Sequence, residues 1–90
     1  MVKLDLDGPV LRLSGRLDVH SVKQAHQTLQ ALGASPGRID AKSLEGLDTA
    51  GAQWLFVLAR RRGGSLEVVN APKPVVATLK AAGFEGWVVS

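Results

Sequence analysis

The sequence predicts an α/β domain with the element order β-β-α-β-α-β-α and a mixed four-stranded sheet packed with helices. Apolar and charged residues alternate at the amino terminus, as they do in an antiparallel hairpin. Strand and helix patterns then alternate, which is typical of parallel strands joined by right-handed crossovers. The chain has 90 residues, of which 46% are hydrophobic and 21% charged, so we expect a single domain over residues 1–90.

The first two strands are predicted from patterns of period two. Apolar and charged residues alternate over residues 2–7, and a Gly-Pro dipeptide then breaks the chain. Residues 10–14 resume the extended pattern until Gly15 ends it. The first fifteen residues therefore predict a hairpin.

The first helix is predicted from apolar residues that recur at helical intervals between residues 22 and 32 and face the core. Asp18 or Ser21 can cap its start, and Ser21 with Gln24 has the spacing of a capping box. Gly33 marks its end.

A third strand and a second helix occupy the middle of the chain. Ile39 is the only aliphatic residue beside Arg38 and before Asp40, which predicts a short or frayed strand over residues 38–41. The second helix runs from residue 50 to about residue 62 and is apolar around most of its circumference. Asp48 or Thr49 can cap it.

Residues 66–69 predict a buried strand, and a third helix follows with Pro74 in its first turn. Gly83 lies just past the end of this helix, where Phe84 can fold back. Residues 87–89 fit either an extra strand or an extended cover.

The charge of the chain is concentrated in one cluster. Eleven basic and eight acidic residues give a net charge of +3, and the excess equals the three arginines Arg60, Arg61 and Arg62. Such a cluster suits either a solvated helix end or a binding patch. A nucleic-acid-binding protein usually spreads basic groups over a face and interleaves them with aromatic residues, so nucleic acid is not expected as a partner.

The sequence offers little support for metal, cofactor or enzyme chemistry. There is no cysteine, and His20 and His26 are too far apart in the helical repeat to share a metal ion, so both are expected at the surface. Ser14 lacks the surroundings of a nucleophile elbow. Asp40 and Asp48 are better explained as a strand-end residue and a helix cap than as an acid–base pair. We predict a protein that is not an enzyme, without cofactor, metal or small-molecule substrate.

Two further expectations concern packing and location. Trp54 and Phe56 have aliphatic neighbours and are expected in the core. No apolar segment reaches the roughly 20 residues that span a bilayer, and the amino terminus does not resemble a signal peptide. The expected location is therefore cytoplasmic, and any association with the inner face of the membrane would be made through a partner.

The most distinctive segment covers residues 40–51. By local physics, Asp48, Thr49 and Gly51 begin a helix whose small residues leave backbone amides open to a partner or an anion. Simple capping by Asp48 is the favoured interpretation of this segment taken alone.

The order of these motifs resembles the STAS domains (sulphate transporter and anti-sigma factor antagonist). In that family a strand ends in Asp, a loop follows, and a second Asp eight positions later opens Asp-Ser/Thr-x-Gly, a spacing that Asp40 and Asp48 match. Residues 13–18 resemble the family's strand-to-helix junction, and residues 66–84 resemble its closing strand and helix. The resemblance implies the β-β-α-β-α-β-α fold and an interaction domain.

The resemblance also implies a functional residue. The family's regulatory hydroxyl directly follows the second Asp and corresponds to Thr49, in a surface formed with the helix start near Asp18. In anti-sigma factor antagonists a partner kinase phosphorylates this hydroxyl, and phosphorylation releases the partner. A second, MlaB-like branch keeps Thr and binds the ATPase of a phospholipid-transporting ABC system. Residues 47–52 are more similar to that branch, although Ala52 replaces the usual Leu.

We therefore expect a cytosolic STAS subunit that binds and regulates an Mla-type ATPase through Thr49 and the second helix. The alternative is an anti-sigma factor antagonist that is switched by phosphorylation at Thr49. The other residues expected in the interface are Asp18, Asp48, Ala50, Gly51 and Gln53.

Overall fold

The secondary-structure elements follow the predicted order, and the α/β prediction is confirmed. The computed structural model describes residues 2–33, 35–64 and 66–89. Its elements are β1 (Val2–Asp7), β2 (Val10–Leu17), α1 (Val22–Leu32), β3 (Arg38–Leu47), α2 (Thr49–Arg61), β4 (Glu67–Val69) and α3 (Lys73–Ala81), followed by a 3₁₀ turn at Glu85–Trp87.

The four strands form one mixed sheet in the order β1-β2-β3-β4. β1 pairs antiparallel with β2, as the hairpin pattern predicts, and Asp7 lies opposite Val10 next to the turn. β3 pairs parallel with both β2 and β4. Because β2 and β3 run in the same direction, their last residues, Leu17 and Leu47, are neighbours at one edge of the sheet.

The core lies between one face of the sheet and the helices. Alternate strand residues point into it, and the residues between them form an open, charged face. Each fully buried Leu contributes roughly 1.5–3 kcal/mol to folding through the hydrophobic effect. The fully buried large side chains are Leu11, Leu13, Leu17, Leu29, Ile39, Leu55, Leu79, Val68 and Val75.

The third strand is longer than the sequence predicts. β3 has ten residues and ends at Leu47, where a short strand and a loop were expected. Its pairing with β2 is interrupted at two points instead of ending at Asp40. At the first, the side chain of Asp40 accepts a hydrogen bond of 3.0 Å from the backbone N–H of Lys42. Such bulges allow the strand to continue although its apolar residues do not alternate strictly.

β2 also extends beyond its predicted end. Gly15 does not terminate the strand but lies within it at φ 86°, next to the second irregularity, and the strand continues to Leu17. A positive φ at this position suits glycine because it lacks a β-carbon.

The start of α1 differs from the predicted capping box. The hydroxyl of Ser21 donates to the carbonyl oxygen of Arg16 over 2.8 Å and accepts from the backbone N–H of Asp18 over 3.0 Å. It makes no capping bond to the helix. The predicted pairing of Ser21 with Gln24 is therefore wrong, because Ser21 closes the turn between β2 and α1. Leu32, at the other end of α1, was expected to face the core. It is 51% exposed, so this expectation is wrong.

Aromatic residues link α2 to the carboxy-terminal tail. Trp54 is buried, as predicted, but Phe56 is 40% exposed, so its expected place in the core is wrong. Its ring stacks on Phe84 and Trp87, with centroid separations of 5.4 and 6.3 Å. The amide of Phe84 folds back onto the carbonyl of Leu79 over 2.8 Å, which agrees with the predicted helix end.

The tail combines the two alternatives that the sequence left open. Val88 forms a single β-bridge with Val68, and the backbone N–H of Val89 donates to the carbonyl of Val68 over 2.9 Å. The tail is thus a short cover along the outer edge of β4. Within the described ranges, no helix has both the length and the apolar character needed to cross a bilayer.

Candidate functional site

The candidate site lies where two loops meet beside the carboxyl ends of β2 and β3. Leu17 and Leu47 are register partners, so the loop from β2 to α1 and the junction from β3 to α2 leave the sheet side by side. Asp18 begins the first of these connections and Asp48 forms the second. The topology therefore brings together the two aspartates that the sequence assigned to one surface.

Asp48 joins the two connections through hydrogen bonds. Its Oδ1 accepts from the backbone N–H of Gly51 over 2.9 Å, and its Oδ2 accepts from the backbone N–H of Val19 over 3.0 Å. One carboxylate therefore caps α2 and fixes the β2–α1 loop. Capping by Asp48 is confirmed, and Thr49 is the first helical residue rather than the cap.

Gly51 allows α2 to pack closely on the strand ends. It is buried, and a β-carbon there would overlap the carbonyl oxygen of Leu17 and lie 2.7 Å from Cδ1 of Leu47. The amide of Gly51 is bonded to Asp48, and the amide of Ala52 donates to the carbonyl of Asp48 over 2.9 Å. Of the amides at the start of α2, those of Gly51 and Ala52 are therefore already bonded and are not open to a partner.

Asp18 organises the β2–α1 turn. Its Oδ1 accepts from the backbone N–H of His20 over 3.0 Å and lies 3.2 Å from the hydroxyl of Ser21, whose single proton it shares with the carbonyl of Arg16. Desolvation acts to raise the pKa of Asp18, but these two hydrogen bonds, together with smaller charge interactions, hold the pKa below its ordinary value near 3.8. The carboxylate is thus ionised at neutral pH and stabilises the β2–α1 turn by accepting hydrogen bonds.

Thr49 is exposed at the start of α2. Its hydroxyl makes no hydrogen bond to any residue that the structure describes. Thr49 borders a shallow cavity of about 420 Å³ between α2 and α3, together with Thr78, two alanines of α3 and Ala82 just past the end of that helix. The hydroxyl of Thr78 is used internally, with the carbonyls of Leu47 at 3.0 Å and Pro74 at 3.1 Å as acceptors. The hydroxyl of Thr49 is therefore available to an incoming molecule.

The outward side of α2 continues from Thr49 along the helix. Gln53 is exposed one turn later, and Phe56 and Val57 follow with exposed fractions of 40% and 41%. Ala50 beside Thr49 is half-buried. Positions 49, 53, 56, 57 and 60 share one side of a helix because of its 3.6-residue repeat.

The exposure of Phe56 and Val57 was not predicted from the sequence. Residues 54–59 are all apolar, so the outward side of the helix is not evident from composition alone. A helical projection that places Phe56 and Val57 opposite the buried Leu55 and Leu58 would have revealed them.

Asp40 does not belong to this site. It lies near the opposite end of β3 from Asp48, and seven to eight residues of strand correspond to about 25 Å. The backbone N–H of Lys42 is the main cause of a lowered pKa at Asp40, with a further contribution from the side chain of Asn70. Arg12 lies 3.8 Å from the same carboxylate. Among the described residues, no cluster of His, Asp and Glu is suited to hold a metal ion.

Comparison with known proteins identifies the family. A family model described as "Mlab, STAS domain" matches residues 1–90, and the chain belongs to this family. Domains of this kind are in general non-catalytic modules that bind other proteins. A comparison with curated proteins gave no match.

One solved structure supports the same fold. The anti-sigma factor antagonist SpoIIAA in its unphosphorylated form is similar over 99% of this chain and 86% of that one, with a TM-score of 0.71 and 19% identity. A protein of the DUF3478 family from Shewanella loihica PV-4, described as having a SpoIIAA-like fold, aligns with 93% of this chain and 76% of its own, with a TM-score of 0.47 and 15% identity. At this level of identity the first similarity establishes the fold alone.

Proposed function

We propose that the chain is an accessory subunit that binds and regulates the ATPase of a phospholipid-transporting, Mla-type ABC system through Thr49 and α2. The observation that carries the proposal is the exposed hydroxyl of Thr49, which has no partner among the described residues, at the start of a helix with an apolar outward side. The family of the chain supports the choice of partner.

The surroundings of Thr49 favour binding because they are held in place before any partner arrives. Asp48 fixes the start of α2 and the β2–α1 loop, and Thr78 ties α3 to the end of β3. A preorganised surface loses less conformational entropy on association than a mobile one. Asp18, Asp48 and Gly51 contribute to the interface by shaping it.

Direct contact with the partner falls to the exposed residues of this surface. Thr49, Gln53 and Val19 are exposed, and the fraction for Val19 is 64%. Val19 is held beside the helix start by its hydrogen bond to Asp48. A hydroxyl, an amide and an apolar side chain are suited to a close, mostly uncharged contact with another protein.

A negative charge on Thr49 would oppose this contact. A phosphate adds about −1.5 to −2 charges, which the helix amino terminus attracts and the adjacent carboxylate of Asp48 repels. Because Asp48 is fixed by two hydrogen bonds, it cannot easily turn away. We expect loss of a dry contact with the partner and no refolding of the domain.

Binding of the purified chain to an Mla-type ATPase tests the proposal. Calorimetry should give a stoichiometric complex at micromolar concentration, and Thr49→Glu should weaken it about tenfold or more. Thr28→Glu is the matched control, because Thr28 is an exposed helical threonine on α1. The absence of a complex at micromolar concentration, or equal effects of both substitutions, would refute the proposal.

A second candidate is an anti-sigma factor antagonist, favoured by the fold similarity to SpoIIAA and by the accessibility of Thr49. This candidate predicts that a cognate anti-sigma factor kinase with ATP transfers a phosphate to the Thr49 hydroxyl. Mass spectrometry that finds Thr49 unmodified after incubation with the kinase would reject it.

A further inference from the structure

The carboxy-terminal end of α2 carries positive charge that the described part of the molecule does not neutralise. The ion pairs formed by the described residues join Arg12 to Asp5, Asp7 and Asp40, Arg16 to Asp18, and Arg38 to Glu67. Neither Arg60 nor Arg61 takes part in these pairs. Arg62 has an internal role, since it donates to the carbonyl of Ser35 over 2.7 Å.

Two apolar side chains lie directly beside these charges. Phe56 and Val57 are 40% and 41% exposed, and the guanidinium carbon of Arg60 lies 5.9 Å from the centroid of the Phe56 ring. Phe56 is supported from behind by its stack with Phe84. Its exposed area is therefore held in one orientation, as is typical of aromatic anchors in interfaces.

We propose that Phe56, Val57, Arg60 and Arg61 form a docking face for a protein segment that combines an apolar side chain with acidic ones. The inference rests on the proposed function, because it extends the same helix surface and specifies the chemistry of the partner. The apolar side chain contacts Phe56 and Val57, and the Asp or Glu residues face Arg60 and Arg61. α2 contains no acidic residue, so no charge on the helix itself opposes such a segment.

A protein fits this face better than an anionic membrane does. Basic segments that adsorb to acidic lipids usually carry clusters of four to eight Lys and Arg residues. This face offers two arginines that form no ion pair with the described residues, and its apolar part is limited to Phe56 and Val57. Two arginines beside an aromatic anchor resemble the centre of a protein interface.

The test compares two double variants with the same change in net charge. Arg60→Glu/Arg61→Glu reverses the charge of the proposed face, and Lys3→Glu/Lys42→Glu reverses two exposed lysines on the open face of the sheet. Calorimetry with the Mla-type ATPase at low and high salt should give about tenfold weaker binding and a reduced salt dependence for the arginine variant. The lysine variant should bind as the unmodified chain does.

A third variant tests the apolar part. Val57→Asp should also weaken binding, with an unchanged melting temperature because Val57 is exposed. Equal affinities for the arginine and lysine variants would overturn the inference.

The outcomes separate this inference from the proposed function. If the unmodified chain fails to bind the ATPase, the proposed function fails. If it binds and Thr49→Glu weakens binding while the arginine variant has no effect, this inference alone fails. If the chain sediments with phosphatidylglycerol vesicles, and the arginine variant loses that ability but keeps its ATPase affinity, the face binds lipid and the inference is overturned.

Discussion

The indole N–H of Trp54 on α2 donates a hydrogen bond of 3.2 Å to Nδ1 of His26 on α1. Trp54 is 4% exposed, so its N–H depends on this partner for hydrogen bonding. His26 is partly buried and is therefore not the solvent-exposed histidine that the sequence suggested. The pair connects the two helices on either side of the candidate surface.

Replacement of His26 by Leu should destabilise the domain. The substitution leaves the Trp54 N–H without an acceptor, which costs about 1 to 3 kcal/mol in the free energy of unfolding. His26→Gln retains an acceptor and should cost less. Urea unfolding followed by tryptophan fluorescence measures both, and equal stability of the Leu variant and the unmodified chain would contradict the assigned role.

Gly51 should not tolerate a β-carbon. We expect Gly51→Ala to destabilise the domain by about 1 to 3 kcal/mol, because the new atom overlaps backbone of Leu17 that belongs to the sheet. Gly86→Ala is the control, since a β-carbon at Gly86 would meet no atom within 4 Å. Thermal unfolding should separate the two variants clearly.

Asp48 should affect stability and binding together. Asp48→Ala removes the cap of α2 and the bond to Val19, and we expect a loss of about 1 to 2 kcal/mol. Asp48→Asn keeps one side-chain oxygen as an acceptor and should be intermediate. If the carboxylate only shapes the surface, affinity for the ATPase should fall in the same order as the stability measured by chemical unfolding.

Thr49→Glu should leave stability nearly unchanged. The side chain is exposed, and an acidic residue in the first turn of a helix is favourable by about 0.3 to 1 kcal/mol. A melting temperature equal to or slightly above that of the unmodified chain is therefore expected. A large decrease would mean that any loss of ATPase binding by this variant reflects unfolding.

The domain should lose stability in acid partly through Asp18 and Asp40. The pKa of each carboxyl is lower in the folded chain than its ordinary value near 3.8, so the unfolded state binds more protons around that pH. Their contribution is present above pH 4 and declines as the pH falls through the folded pKa values. Asp40→Asn should flatten the dependence of the unfolding free energy on pH below about pH 4.

Local patterns predicted most of the fold. The order of elements, the hairpin, the cap at Asp48 and the end of α3 shortly before Gly83 all depend on neighbours in sequence, which periodicity and capping preferences describe. The length of β3, in contrast, does not depend on neighbours in sequence. Residues 42–47 stay in the sheet because β2 and its bulges supply pairing partners, and such partners are not visible in the strand's own sequence.

The candidate site also contains residues that the local sequence predicts and others that only tertiary packing determines. Thr49 and Asp48 follow from a short motif and a family resemblance. The bond between Trp54 and His26 joins residues 28 positions apart, and the exposure of Phe56 depends on which side of α2 the sheet occupies. Both are consequences of tertiary packing, which overrides the apolar character of the segment.

The bridge between Val88 and Val68 also limits how copies of this chain can assemble. The outer side of β4 already has a hydrogen-bonded occupant in Val89, so a strand from another molecule would first have to displace it. At the opposite margin, β1 presents Lys3, Asp5 and Asp7 among its outward residues. A charged edge strand and an edge strand that is already paired both discourage polymerisation by strand addition. The sheet therefore does not extend to other copies, and recognition is left to the helical side of the domain.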